Sequence, residues 1–139
     1  MAPPSNLDLI REGIDAFNRG DWEVIVGALA EDVEWKRVEG LPDGGGVLRG
    51  REEVRRFLQP DVFAASRFEA LEVVEGDDVI MVHGVFRATG AQSGIELDVE
   101  AYTVYKLNDR GLVRRVENWN DRAEAERSAG LRFGGAGPR

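Results

Sequence analysis

"IELDVEAYTVYKLNDRGLVRRVENWNDRAEAERSAG", residues 95–130, is the stretch on which the fold turns. Leu97, Val99, Ala101, Thr103, Tyr105 and Leu107 fall at every second position. Asp98, Glu100, Tyr102, Val104 and Lys106 fill the places between and carry the charges. A period of two marks a strand with one face buried, because successive side chains leave opposite sides of the backbone. "NDRG" at 108–111 is turn-forming, so the chain folds back into a further strand, "LVRRVENWN" at 112–120. That strand runs straight into a helix over 122–129, which Gly130 terminates.

Working towards the N-terminus, "FEALEVV" and "DVIMVHGVFRAT" read as two more strands, joined by the short connections "EGDD" and "GAQSG". Consecutive hairpins of this kind give an antiparallel meander. The first half of the chain is different. Ile10, Gly13, Ile14 and Phe17 line one side of a helix over 6–19, with Ser5 and Asp8 spaced as a capping box. Gly20 stops it, and Asp21 is placed to cap a second helix, 22–30, that buries Ile25, Ala28 and Leu29. "DVEWKRV" at 32–38 reads as a short strand with Val33, Trp35 and Arg37 on one face. "GLPDGGGVLRG" reads as a loop; it lacks the Lys-Ser/Thr pair of a phosphate cradle. "REEVRRFL" is a third helix packing Val54, Phe57 and Leu58, with Pro60 after it. Helices first, strands later and one closing helix predict an α+β domain whose sheet curls around its helices. We read residues 5–132 as one domain, with 1–4 and 133–139 as flexible ends.

The 139 residues suit a single domain with a real core. The absence of cysteine excludes disulfides, thiolate chemistry and zinc–sulfur sites. With 26 acidic residues against 18 basic and a net charge of −8, nucleic acid and anionic membrane surfaces are poor partners. No apolar run approaches a membrane span, and the N-terminus lacks the basic start and apolar stretch of a signal peptide, so a cytoplasmic location is expected. No cofactor and no metal site is read from the sequence.

Three stretches, "AFNRGDWEVIVGALAEDVEW", "LRGREEVRRFL" and "LNDRGLVRRVENWNDRAEAERSAGL", together resemble the SnoaL-like branch of the nuclear transport factor 2-like superfamily, over roughly residues 5–132. The resemblance implies a cone: a strongly curved, mostly antiparallel sheet wrapped around the N-terminal helices, with a C-terminal helix. It implies a mostly apolar pocket in the concave face for a small apolar or carbonyl-containing ligand. It also implies a homodimer through the convex face. Fold alone does not give function, since one scaffold hosts unrelated activities.

Alternation selects the side chains able to reach such a pocket. The concave set is Leu97, Val99, Ala101, Thr103, Tyr105 and Leu107 on one strand and Ile80, Val82, Gly84, Phe86 and Ala88 on its neighbour. By resemblance, Val116, Asn118 and Asn120 also face inward. The expected lining is Phe17, Trp35, Arg37, Phe57, Phe86, Thr103, Tyr105, Val116, Asn118 and Asn120. His83, the single histidine, falls on the convex side, where a dimer contact suits it better than catalysis.

The ketosteroid isomerase groups correspond to Gly13, Arg37 and Thr103 here, so its carboxylate base is missing. The inner faces also lack the Asp-Arg-Asp set of the epoxide hydrolases. The acid of the polyketide cyclases corresponds to Asp121, which as a base would need burial to raise its pKa. "Asp121-Arg-Ala-Glu124" is equally a helix-capping arrangement. The first reading is a cyclase or isomerase using Asp121 as base; the alternative is a non-catalytic dimeric protein that holds a small ligand.

Overall fold

The computed structural model describes residues 5–37, 46–58, 63–90 and 92–134. The readings at residues 1–4, at Pro60, in most of the glycine loop and at 135–139 lie outside them.

Helix α1 (Asn6–Arg19) starts with the capping box: Ser5 Oγ accepts from Asp8 N at 3.1 Å, and the Asp8 carboxylate accepts from Ser5 N. It ends at Gly20, whose φ of 77° lies where a side chain would be strained. Helix α2 (Trp22–Gly27) is shorter than its pattern suggests. The chain from Leu29 onward is drawn into strand β1 (Leu29–Lys36), because Leu29 pairs with Val113 across the sheet. Ladder bonds outcompete one more helical turn there. Asp21 holds the cap position of α2 without a cap bond; its carboxylate lies 3.6 Å from Arg19 instead. Strand β2 (Val47–Arg49) is an element the loop-like composition hides, and it pairs with β1. Helix α3 (Gly50–Leu58) follows, burying Val54 and Leu58.

Strands β3 (Phe63–Glu75), β4 (Val79–Gly90), β5 (Glu96–Leu107) and β6 (Val113–Trp119) form the expected meander. The sheet order is β2-β1-β6-β5-β4-β3, with β1 parallel to β6 and the other pairs antiparallel. One lateral row runs across it through direct partners: Leu48, Trp35, Val116, Tyr105 and Ile80. This row packs with Ile10, Val33, Val54, Leu58 and Val82 in the core beneath the helices.

The sheet bends where β3 carries an extra residue. The register shifts between Ala70 and Glu72, and the bulged Leu71 is 54% exposed. A bulge adds local twist and bend. Gly84 stands opposite Ala70. A Cβ there would come within 2.4 Å of Phe68 Cζ and 2.6 Å of the Glu69 carbonyl oxygen, so only glycine lets the Phe68 ring lie against β4. Asn18 of α1 meets the same residue from the other side. Its amide donates to Phe68 O at 2.9 Å and accepts from Phe68 N at 2.8 Å. Helix α1 is thereby fastened to the outermost strand.

The convex side is not bare. Helix α4 (Arg122–Ala129) lays Ala125 and Ala129 against Met81, Val104 and Trp119. After Gly130 the chain turns, and Leu131 and Phe133 join that cluster. Phe133, assigned by sequence to the flexible end, is only 4% exposed. Its amide donates to Glu126 at 2.8 Å, and the Gly134 amide donates to Glu72 at 2.6 Å.

Beneath α4 lies Glu117, 3% exposed. It belongs to the row the alternation turns outward, and the helix then covers it. Its carboxylate accepts from Ser128 Oγ, from Arg115 Nε at 2.5 Å and from Trp119 Nε1 at 3.2 Å, with Lys106 Nζ 3.5 Å away. Burial pushes the Glu117 carboxyl up, but the Ser128, Arg115 and Trp119 hydrogen bonds and the Lys106 charge together hold it below its ordinary value.

Two outcomes follow. Asn18→Ala strands both backbone groups of Phe68 and lowers the unfolding free energy by about 1–3 kcal/mol in urea titration. A carboxyl with a depressed folded pKa stabilises at neutral pH and loses that contribution as pH falls below the ordinary glutamate value of about 4.3. Wild type therefore loses stability more steeply than Glu117→Gln between pH 5 and pH 3, on the order of those two values bracketing the titration, as read by urea midpoints at each pH.

Candidate functional site: the concave face of the sheet

Two aromatic groups flank the concave face. Trp35 on β1 and Phe57 on α3 meet edge-on with ring centroids 6.5 Å apart, and the Arg37 guanidinium sits 5.5 Å from the Phe57 centroid. On the other side, Phe17 of α1 lies 6.1 Å from Phe86 of β4 and 5.9 Å from Trp22. The sheet order places β6 and β5 between these groups, so Val116, Asn118, Thr103 and Tyr105 occupy the middle. Leu97, Val99, Phe86 and Ala101 form a smaller apolar cluster towards the far end of β4 and β5.

The polar side chains in the middle differ in what they already bond. Thr103, 2% exposed, donates its hydroxyl hydrogen to Asn118 Oδ1 at 2.8 Å. Asn118 Nδ2 donates to the Lys36 carbonyl at 2.8 Å. Lys36 Nζ returns the contact from the convex side, donating to the Asn118 carbonyl at 3.0 Å and resting 4.2 Å from the Trp119 ring centroid. This latch ties β1, β6 and β5 together. Thr103 and Asn118 are thus largely engaged within the protein. Tyr105 Oη has no hydrogen-bond partner among the described residues. Burial alone pushes the Tyr105 phenol pKa well up, yet the side chain is only half-buried. The Tyr105 side chain is therefore deep in the fold without being fully covered.

Not every candidate is brought to this face. Asn120 lies past the end of β6 and is exposed. Asp121 is exposed as well. Its Oδ2 accepts from Glu124 N at 3.0 Å, capping α4. The burial that a working base needs is absent there. His83 takes the convex position its parity predicts: Nε2 lies 3.0 Å from Glu100 Oε1, and the ring stacks on Tyr102 at 4.6 Å with Phe133 edge-on. The same Glu100 oxygen accepts from Tyr102 Oη at 2.7 Å, and the Tyr102 bond, then the His83 bond, hold the Glu100 carboxyl low. Neither His83 nor Glu100 approaches the concave side.

Sequence reasoning passed over Asn18, Glu117 and Phe133. The signal for the last two was present: Ala125, Ser128 and Ala129 recur at helical spacing, a small-residue face made for close docking. Asn18 carries no pattern, because its partner is 50 residues away.

No curated protein matches this sequence. Among solved structures, the chain resembles an NTF2-like protein of unknown function from Burkholderia pseudomallei, at 30% identity and a TM-score of 0.72, over 91% of this chain and 98% of that one. A putative polyketide cyclase from Xanthomonas campestris matches at 24% identity and a TM-score of 0.69, over 86% and 92% of the two chains. RV0760c from Mycobacterium tuberculosis, in complex with estradiol-17beta-hemisuccinate, matches at 18% identity and a TM-score of 0.70, over 81% and 91%. These likenesses agree with the curved sheet and its packed helices. The SnoaL-like domain matches residues 10–116, and this chain belongs to that family.

Proposed function

We propose that the chain binds a small, mostly apolar ligand against the concave face of its sheet and does not transform it. The observation that carries this reading is the composition of the concave rows. Among the described residues, those of β1, β4, β5 and β6 hold half-buried aromatic side chains, Trp35, Phe86 and Tyr105, and no carboxylate. Flat apolar walls with a few neutral polar groups suit holding a ligand. Proton abstraction needs a desolvated base, and among the described residues these rows supply none. The cyclase or isomerase reading depends on Asp121, whose carboxylate is exposed and spent on the α4 cap. The Mycobacterium tuberculosis neighbour holds a steroid derivative on the same fold, which supports the size of ligand the scaffold accommodates and nothing about chemistry. Self-association through the convex face has to use the rows that α4 and Phe133 leave open, around Val85 and Arg87.

Wild type and Asp121→Asn are to be screened by thermal shift against small aromatic and polycyclic compounds, with each hit recovered and analysed. The same compounds raise the melting temperature of both proteins and come back unaltered, and Trp35→Ala abolishes the shift. A hit that wild type converts and Asp121→Asn does not would overturn the reading. Asparagine also caps well, so Asp121→Asn keeps wild-type stability, whereas Asp121→Ala costs about 1 kcal/mol in urea unfolding.

A further inference from the structure

We infer that Tyr105 is the hydrogen-bond donor of the concave site, and that the ligand presents to it one acceptor oxygen, a ketone or quinone carbonyl, on an otherwise apolar ring body. The inference rests on the ligand-binding reading above and specifies its chemistry.

Three observations lead to it. First, Tyr105 lies within the lateral row Trp35–Val116–Tyr105–Ile80, so its ring shares the apolar floor with the Trp35 wall. Second, the neighbouring polar side chains are occupied: Thr103 by Asn118, and Asn118 by Lys36 O. Tyr105 Oη alone on the concave side of β5 and β6 has no protein partner among the described residues. The hydroxyl is not sealed within the protein, so it is open to a ligand oxygen, and that oxygen gives it a hydrogen bond in apolar surroundings. Third, burial pushes its pKa up, so the hydroxyl is protonated at neutral pH. A neutral phenol in apolar surroundings donates a hydrogen bond and does not carry charge. The match it makes is therefore with a neutral acceptor on a ring system, held by packing on Trp35 and Phe57.

The test uses two probes of nearly equal shape, 2-acetylnaphthalene and 2-ethylnaphthalene, in equilibrium dialysis with wild type and Tyr105→Phe. Wild type binds the ketone about tenfold more tightly than the hydrocarbon, the scale of one good hydrogen bond in an apolar site. Tyr105→Phe brings that ratio to about one while keeping its affinity for 2-ethylnaphthalene. The carbonyl stretch of bound 2-acetylnaphthalene shifts to lower frequency in wild type and returns in the variant. Because Oη bonds nothing among the described residues, Tyr105→Phe unfolds at a urea concentration no lower than wild type. Equal binding of both probes by both proteins overturns the role of Tyr105 and leaves the ligand-binding reading standing. Failure of wild type to bind either probe overturns both. A Tyr105→Phe protein clearly less stable than wild type also overturns the inference, since the hydroxyl would then have a structural partner.

Discussion

Opposite Gly84 the outermost strand carries one residue more than its partner, and the extra residue, Leu71, is pushed out into solvent. That mismatch bends the sheet. A flat six-stranded sheet has room for helices on a face but does not curve towards them. Once bent, its concave rows converge on α1 and α3, and Trp35, Phe57, Phe17 and Phe86 come to flank one region. Gly84 is the other half of the device. With no side chain there, Phe68 can close over β4. The convergence of the concave rows on α1 and α3 depends on this curvature.

Alternation in β5 is the most legible part of the chain. Charge and apolar character separate there into two rows, and a strand cannot mix them without burying Asp98 or Glu100. Helix α1 and helix α4 were equally legible, because capping residues and a terminal glycine bracket each. The start of β1 was not, since "GALAEDVEW" satisfies a helix locally and only pairing of Leu29 with Val113 decides for a strand. Strand β2 was hidden for the same reason: three residues beside a glycine run carry no period, and β1 supplies the template. On the concave face, parity placed Thr103 and Tyr105, and the resemblance placed Val116 and Asn118 beside them. Neither could say that Thr103 and Asn118 would satisfy each other, because that bond joins two strands. Position in a family motif pointed to Asp121, while its surroundings, an exposed strand end and a waiting Glu124 amide, depend on how the next helix leaves the sheet.

The two faces of the sheet solve different problems. The concave side has apolar surface to cover and does so with helices and aromatic rings. The convex side of β4, β5 and β6 buries a carboxylate, and Glu117 is tolerated there because four side chains supply donors or positive charge to it. An ion of one sign sunk beneath a helix is costly unless compensated in this way. The arrangement fixes where α4 sits, and with it where Asp121 points. The residue that looks most like a catalyst is thus oriented by a structural ion pair on the opposite side of the sheet.

The amide of Asn18 occupies the backbone groups of Phe68 as a neighbouring strand would. The outermost strand of an open sheet is a template on which a foreign strand can grow, and β3, thirteen residues long, is an inviting one. A single helix side chain placed at its middle denies that template two of its bonds. Resistance to fibrous association in this protein then resides partly in α1, far in sequence from the segment it guards.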